Sequence, residues 1–358
     1  MSEILLWIMA GFAVLGAVDR IFGNRFGLGK EFEDGITAMG SLALAMLGII
    51  CLAPVLANVL RPVVVPVFRF LGADPAMFAG SILACDMGGG ALAAELAEDP
   101  QSAIFGGVLC GSMLGATVVF TIPVAMGILE AKDRPFLAKG ILAGVVTIPL
   151  GLLAGGLVAG MPLLKILGNL VPIVLIAALI ALGLWRAETA MIKGFGIFGK
   201  GVIALITVGL AAGIFQAITG IRLIPGLAPI EEGFQTVGAI AIVLAGAFPL
   251  VLVLTKLLRK PLVKLGKVLG INETAAAGLI ASLANSIATF GMVKDRNQRG
   301  KVVNIAFAVS AAFVFGDHLG FTAGFAPEML GSVIAGKLAG GISAVAVALW
   351  LTGKEDKL

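Results

Sequence analysis

Residues 75–95 read PAMFAGSILACDMGGGALAAE, and residues 274–293 read TAAAGLIASLANSIATFGMV. Both are apolar stretches of membrane-spanning length, each interrupted near its middle. In the first, Asp86 is followed by Met87 and the glycines Gly88, Gly89 and Gly90. Glycines are poor helix formers, so the spacing predicts an unwound stretch between two half-helices. In the second, the interruption is Asn285-Ser286. Irregular backbone at membrane depth survives only where it lines a cavity or packs inside protein. Whether these stretches cross a bilayer or dip in and return decides the topology.

The surrounding sequence has the composition of a membrane protein. Of 358 residues, 59% are hydrophobic and 13% charged, against about 25% charged in soluble domains. Mean hydropathy is +1.09. The runs Gly35–Leu60, Pro100–Leu129, Gly140–Leu164, Ile166–Trp185, Gly201–Ile221 and Gly233–Thr255 carry no Asp, Glu, Lys or Arg. Each meets the requirement of roughly 20 residues for a spanning helix. One soluble core cannot take so many wholly apolar helices, and runs this long without alternation are not barrel strands. The expected fold is an all-α polytopic membrane protein embedded in a lipid bilayer. Its segments lie near 4–22, 35–60, 75–95, 101–129, 136–160, 165–185, 196–219, 233–257, 274–293, 302–325 and 329–352. Residues Ile4–Val18 follow Ser2-Glu3 without a basic leader, so they read as a first helix rather than a cleaved signal.

A repeat runs through the chain at an offset of 198 positions. Phe32-Glu33-Asp34-Gly35 matches Ile230-Glu231-Glu232-Gly233, and Leu71-Gly72-Ala73-Asp74 matches Leu269-Gly270-Ile271-Asn272. Ala79-Gly80 recurs as Ala277-Gly278 and Lys139 as Lys337. This divides the chain into a first repeat (1–164), a connecting helix (165–194) and a second repeat (195–358). Such duplication is the usual build of secondary transporters. If segments three and nine re-enter, 20 of the Lys and Arg residues fall on one side. The remaining 5, Arg61, Arg69, Lys165, Arg222 and Lys337, fall on the other. The positive-inside rule prefers that arrangement: about nine crossings, two re-entrant broken segments, N-terminus outside, C-terminus cytoplasmic, repeats inverted. The alternative is eleven full crossings, which leaves the positive charges without bias.

The candidate site residues are Asp86, Asn285, Ser286, Asp317 and His318. A carboxylate inside a membrane is costly and usually functional. With the carbonyls that end the preceding half-helix it favours a cation. Asn285 and Ser286 offer neutral hydrogen bonds, which suits a small amphipathic guest. Asp317-His318, late in an uncharged run, can bind a cation or relay a proton. Glu95, Glu98 and Asp99 form an acidic cluster with no basic residue near in sequence, and on the outer side it would concentrate cations at an entrance. Gly107, Gly111 and Gly115 make a small-residue packing face.

Other chemistries are thinly supported. A single His provides no zinc motif, and Cys51, Cys85 and Cys110 sit in apolar runs as small core residues. No metal or cofactor is expected. No basic stripe carries interleaved aromatics, so no nucleic acid is expected as partner. A serine triad drawn with Asp317 and His318 would need neighbours that point about 100° apart on a helix. A homo-oligomer is compatible with the sequence.

Several blocks resemble the EutH family of ethanolamine-utilisation permeases. They are Phe32-Glu33-Asp34-Gly35 through Met39-Gly40, Leu52-Ala53-Pro54-Val55-Leu56-Ala57, and Met77-Phe78-Ala79-Gly80 followed by Ala84-Cys85-Asp86-Met87-Gly88-Gly89. Leu223-Ile224-Pro225-Gly226-Leu227, Ala306 through Phe313, and Gly316-Asp317-His318-Leu319-Gly320-Phe321 complete the set. The resemblance implies a bacterial inner-membrane transporter for ethanolamine, a small protonated amino alcohol that a buried carboxylate could hold. The alternatives are a sodium- or proton-coupled carrier of another small organic cation and, less favoured, an intramembrane enzyme.

Overall fold

The computed structural model describes residues 2–353, with the side chains of Leu258, Arg259, Lys260, Leu262 and Leu265 excepted. The basic tail assigned above to the cytoplasmic side, with Lys354 and Lys357, lies outside the described residues. The described chain is helical throughout: α1 (Ser2–Ile21), α2 (Leu28–Phe70), α3 (Ala76–Ile82), α4 (Gly89–Leu96), α5 (Pro100–Ile128), α6 (Ala131–Val158) and α7 (Leu163–Thr219). Then come α8 (Ile230–Leu269), α9 (Glu273–Ala284), α10 (Ser286–Gly291), α11 (Gln298–Ala311), α12 (Asp317–Phe325) and α13 (Leu330–Thr352). Seven of these stretches are long and apolar enough to cross a membrane. The chain is an all-helical, multi-pass membrane protein. Large apolar side chains on its periphery, among them Trp7, Leu164, Trp185 and Ile218, are exposed, as lipid-facing residues must be.

The helix over 163–219 is not continuous. Ala187 leaves helical geometry (φ −144°, ψ 49°), and a Cβ on Gly183 would fall 2.7 Å from Met191 Sδ. The chain therefore folds back at Ala187, where the sequence suggested a longer linker between segments six and seven.

The interrupted segments turn back on themselves. Asp74 Oδ1 accepts from Ala76 N (2.8 Å), while its Oδ2 accepts from Glu98 N (3.1 Å). One carboxylate thus starts α3 and ties it to the end of α4. Asn272 does the same 198 positions later: its Oδ1 accepts from Ala275 N (3.0 Å) and its Nδ2 donates to Asp295 O (3.0 Å). Asn297 closes the second hairpin by donating to Gly270 O (3.0 Å). The two ends of each hairpin are thus joined by hydrogen bonds.

Helices α2 and α8 cross antiparallel at the centre. Gly35 lies against Leu244 and Ala245, and Gly233 against Leu47. Gly48 meets the backbone of Ile206, and Gly246 that of Met9. The close approaches come in pairs shifted by 198, and glycine is what lets each backbone pair meet. Inside this frame α5 and α11 are buried nearly all round, and between them they carry the irregular backbone described next.

Candidate functional site

The first break begins where α3 ends. Leu83 and Ala84 are extended, Cys85–Met87 form one 3-10 turn, and Gly88 takes a left-handed conformation (φ 96°). A side chain at Gly88 would collide with Ile49. That position needs glycine twice over, for its dihedral and for its neighbour. The turn projects the Asp86 carboxylate away from both half-helices.

The second break is a single residue. Asn285 is extended, and its Oδ1 accepts from Ile287 N (2.7 Å), capping α10. The carbonyls that close α9 are met from outside the hairpin: Phe313 N donates to Ser282 O (3.0 Å) and Phe315 N to Leu283 O (2.9 Å). Residues 312–316 are accordingly non-helical, and Phe313 sits at φ 60°, strained for a residue with a side chain. The sequence treated 302–325 as one uninterrupted apolar segment. The structure splits it just before Asp317, because these amides are drawn into the hairpin.

The two hairpin tips and the start of α12 enclose a cavity of about 310 Å³. Asp86, Asn285, Asp317 and His318 all line it, beside Ser41, Phe120 and Phe313. Ser286 does not; it is fully buried and its Oγ has no partner among the described residues. Asp317 occupies the first turn of α12, where the helix dipole favours negative charge. Phe120 and Phe313 pack edge to face (centroids 5.6 Å), and Phe313 lies 5.0 Å from the His318 ring. Phe120 belongs to α5 where that helix is wound as a π-helix over Phe105–Gly115 and Thr117–Thr121, a geometry found mostly at functional sites.

Sequence reasoning missed one member of the cluster. Lys337 was counted with the outer loop charges; instead it is 0% exposed, within α13. Its Nζ donates to Ser112 O (2.6 Å) and lies 3.1 Å from His318 Nδ1. With Nζ as an ammonium, which has donors only, Nδ1 is the acceptor and the ring proton of neutral His318 sits on Nε2. That nitrogen faces Asp86 Oδ1 at 3.9 Å, outside hydrogen-bond length. The signal was present in the sequence, a lone charge in an apolar run, but the repeat match to Lys139 drew it toward a surface reading. Lys139 is in fact exposed.

Two further charges assigned to inner loops are also enclosed. Lys301 pairs with buried Asp133 (2.6 Å), and Arg296 is 4% exposed with no partner on its guanidinium nitrogens among the described residues. The outer acidic cluster is not free of bases. Glu98 pairs with Arg69 (2.5 Å) and Asp99 with Lys165 (2.6 Å). Only Glu95 of the three lines a second cavity, of about 220 Å³, together with Glu232, Cys85 and Gly88. Asp86 and Met87 face the first cavity, and Cys85 and Gly88 face the second.

Cys85, Asp86 and His318 bring three metal-ligand types within 4.8 Å of one another. Two carboxyls, two aromatic rings and neutral hydrogen bonders thus line one cavity.

A family model described as "Ethanolamine utilisation protein, EutH" matches residues 1–351. The chain is 60% identical over 356 residues to a Listeria monocytogenes protein named "Probable ethanolamine permease EutH", covering 99% of this chain and 95% of that one. It is 50% identical over 393 aligned positions to an Escherichia coli protein of the same name, covering 99% and 96% of the two. It is 53% identical over 355 residues to the Bacillus subtilis protein YxeR, named as uncharacterized, again covering 99% and 96%. No solved structure matches the chain.

Proposed function

We propose that this chain, which belongs to the EutH family of ethanolamine utilisation proteins, carries ethanolamine or a similar small protonated amino alcohol across the bacterial inner membrane. The family is one of permeases and not of enzymes. Ethanolamine is an alkylamine, protonated at neutral pH much as a lysine side chain is. Its ammonium would sit between Asp86 and Asp317, with Phe120 and Phe313 presenting ring faces. Its hydroxyl would accept from Asn285 Nδ2, which the cap leaves free, and donate to Ser41 Oγ, whose own proton goes to Ala38 O (2.9 Å).

The transport cycle we infer is alternating access between inverted repeats of about 1–164 and 195–358, joined by the helix between them. The hairpins α3–α4 and α9–α10 act as re-entrant segments, leaving nine crossings. The paired glycine contacts of α2 and α8 support that reading, since antiparallel packing with exchanged partners is what a two-fold axis in the membrane plane generates. The Cys85–Gly88 turn borders two cavities, Asp86 lining one and Cys85 and Gly88 the other, and in this cycle they are the two approaches to the site. The N-terminus would lie outside and the C-terminus in the cytoplasm.

The observation that carries the proposal is that Asp86 and Asp317, from different halves of the chain, line one cavity. Uptake of labelled ethanolamine into proteoliposomes tests it. Asp86→Asn keeps the side chain's shape and removes its charge, so uptake should fall on the order of a hundredfold or more, the cost of leaving a buried cation unpaired. Full uptake by a correctly inserted Asp86→Asn protein removes Asp86 from the mechanism.

A further inference from the structure

Lys337 is a buried amine that the transport reading leaves without a task. It is the lone Asp, Glu, Lys or Arg residue in α13. Charges inside a membrane normally pair with an opposite charge, yet both of its bonded partners, Ser112 O and His318 Nδ1, are neutral. The repeat does not impose its burial, because Lys139 at the matching position is exposed. Nor does His318 add a second positive charge: its Nδ1 accepts from the ammonium, and a proton placed there would face that ammonium directly. The ionisable groups at the cavity and its wall are thus two carboxyls, Asp86 and Asp317, and one amine, Lys337.

We propose that Lys337 sets the charge number of the cargo. With it in place the site is short of one positive charge, which a single ammonium supplies. A guest with two ammonium groups would leave an unbalanced positive charge where little water can screen it, and so is rejected. Lys337 is then a specificity-determining residue for monoamines over diamines. It acts by its field and not by touching the guest. The inference rests on the reading of this cavity as an ammonium site.

Binding of ethanolamine and of 1,3-diaminopropane to the purified full-length protein in detergent micelles tests it. The unaltered protein should bind the diamine at least tenfold more weakly than ethanolamine. Lys337→Gln removes the fixed charge and should shrink that ratio at least tenfold; Lys337→Arg keeps the charge and should preserve it. Asp317→Asn moves the balance the other way and should widen the ratio at least tenfold, which keeps the test open if Lys337→Gln is not recovered folded. Equal affinities in the unaltered protein overturn the inference, as does a ratio indifferent to Lys337→Gln, or to Asp317→Asn when that is the variant recovered. Failure to bind ethanolamine at all sinks the transport reading instead. Ethanolamine bound without discrimination by charge sinks this inference alone.

Discussion

The two hairpins of this protein break in different ways, and each difference is offset by the neighbouring helix. In the first half the hairpin unwinds over several residues, Leu83 to Gly88, while the helix behind it, α5, stays continuous and widens into π-turns. In the second half the hairpin breaks at Asn285 alone, and the helix behind it splits into α11 and α12 across residues 312–316. The contact is conserved in kind. Gly115 packs on the Leu83 carbonyl in the first half, and Phe313, 198 positions on, takes the Ser282 carbonyl through its own amide. Positions 198 apart thus share a contact while the irregular backbone lies in different elements. The chemistry divides the same way, with Asp86 on the first hairpin and Asp317 and His318 on the second half's crossing helix.

If charge is concentrated in the first break and neutral bonding in the second, uptake should separate them sharply. Against the hundredfold loss expected for Asp86→Asn, Asn285→Ala should raise KM about threefold to tenfold and leave the maximal rate near that of the unaltered protein. That is the size of one neutral hydrogen bond to the hydroxyl. Concentration-dependent uptake measures both terms. A loss at Asn285 as large as that at Asp86 would erase the proposed division of labour.

The breaks should also differ in what they tolerate structurally. Gly88→Ala places a Cβ in the left-handed region and against Ile49. About 1–2 kcal/mol for the dihedral and about 1–3 kcal/mol for overpacking should lower stability by about 2–5 kcal/mol. Asn285→Ala loses a cap and should cost about 1 kcal/mol. Thermal unfolding of the two variants in one detergent ranks them; the opposite order would mean that the first break is the looser one.

Much of this was readable from residues alone. Long uncharged runs announce membrane helices because lipid admits little else, and the hairpins showed themselves through Asp86 with its glycines and through Asn285. The offset of 198 positions reappears in the paired contacts of Gly35 and Gly233. What stayed hidden depended on contacts distant in sequence. Nothing local to Val302–Gly316 says that its amides will be taken by the end of α9. Lys337, Arg296 and Lys301 looked like membrane-face charges because composition counts a lysine without saying whether a helix neighbour encloses it. Ser286 was paired with Asn285 by adjacency alone. A helix start points successive side chains in different directions, and Ser286 faces the packed interior.

The smallest expected effect concerns the hairpin ends, where the halves again differ: carboxylates Asp74 and Asp99 on one side, Asn272 and Asn297 on the other. Partial burial works to raise the Asp99 pKa, but Lys165 and the Ser102 hydroxyl and amide outweigh it and hold the group below its usual value of 3.8. A carboxylate whose folded-state pKa is depressed contributes stability above its unfolded pKa and loses it as pH falls through the folded one. The Asp99 cap on α5 and its bridge to Lys165 should therefore weaken in acid below about pH 4, the unfolded carboxylate range, whereas Asp74, whose half-buried carboxyl is pushed upward by desolvation, carries the opposite sign and the amides Asn272 and Asn297 do not titrate. Both members of the Asp99–Lys165 pair are about a third exposed, so solvent screening keeps the effect small. Hydrogen exchange at residues 101–104 and 299–302 between pH 3 and 6, corrected for intrinsic rates, reads the Asp99 and Asn297 caps in one experiment. The first should gain exchange at the acid end, and Asp99→Asn should bring that exchange to neutral pH while leaving the second unchanged. Equal acid sensitivity of both would place the titrating group elsewhere.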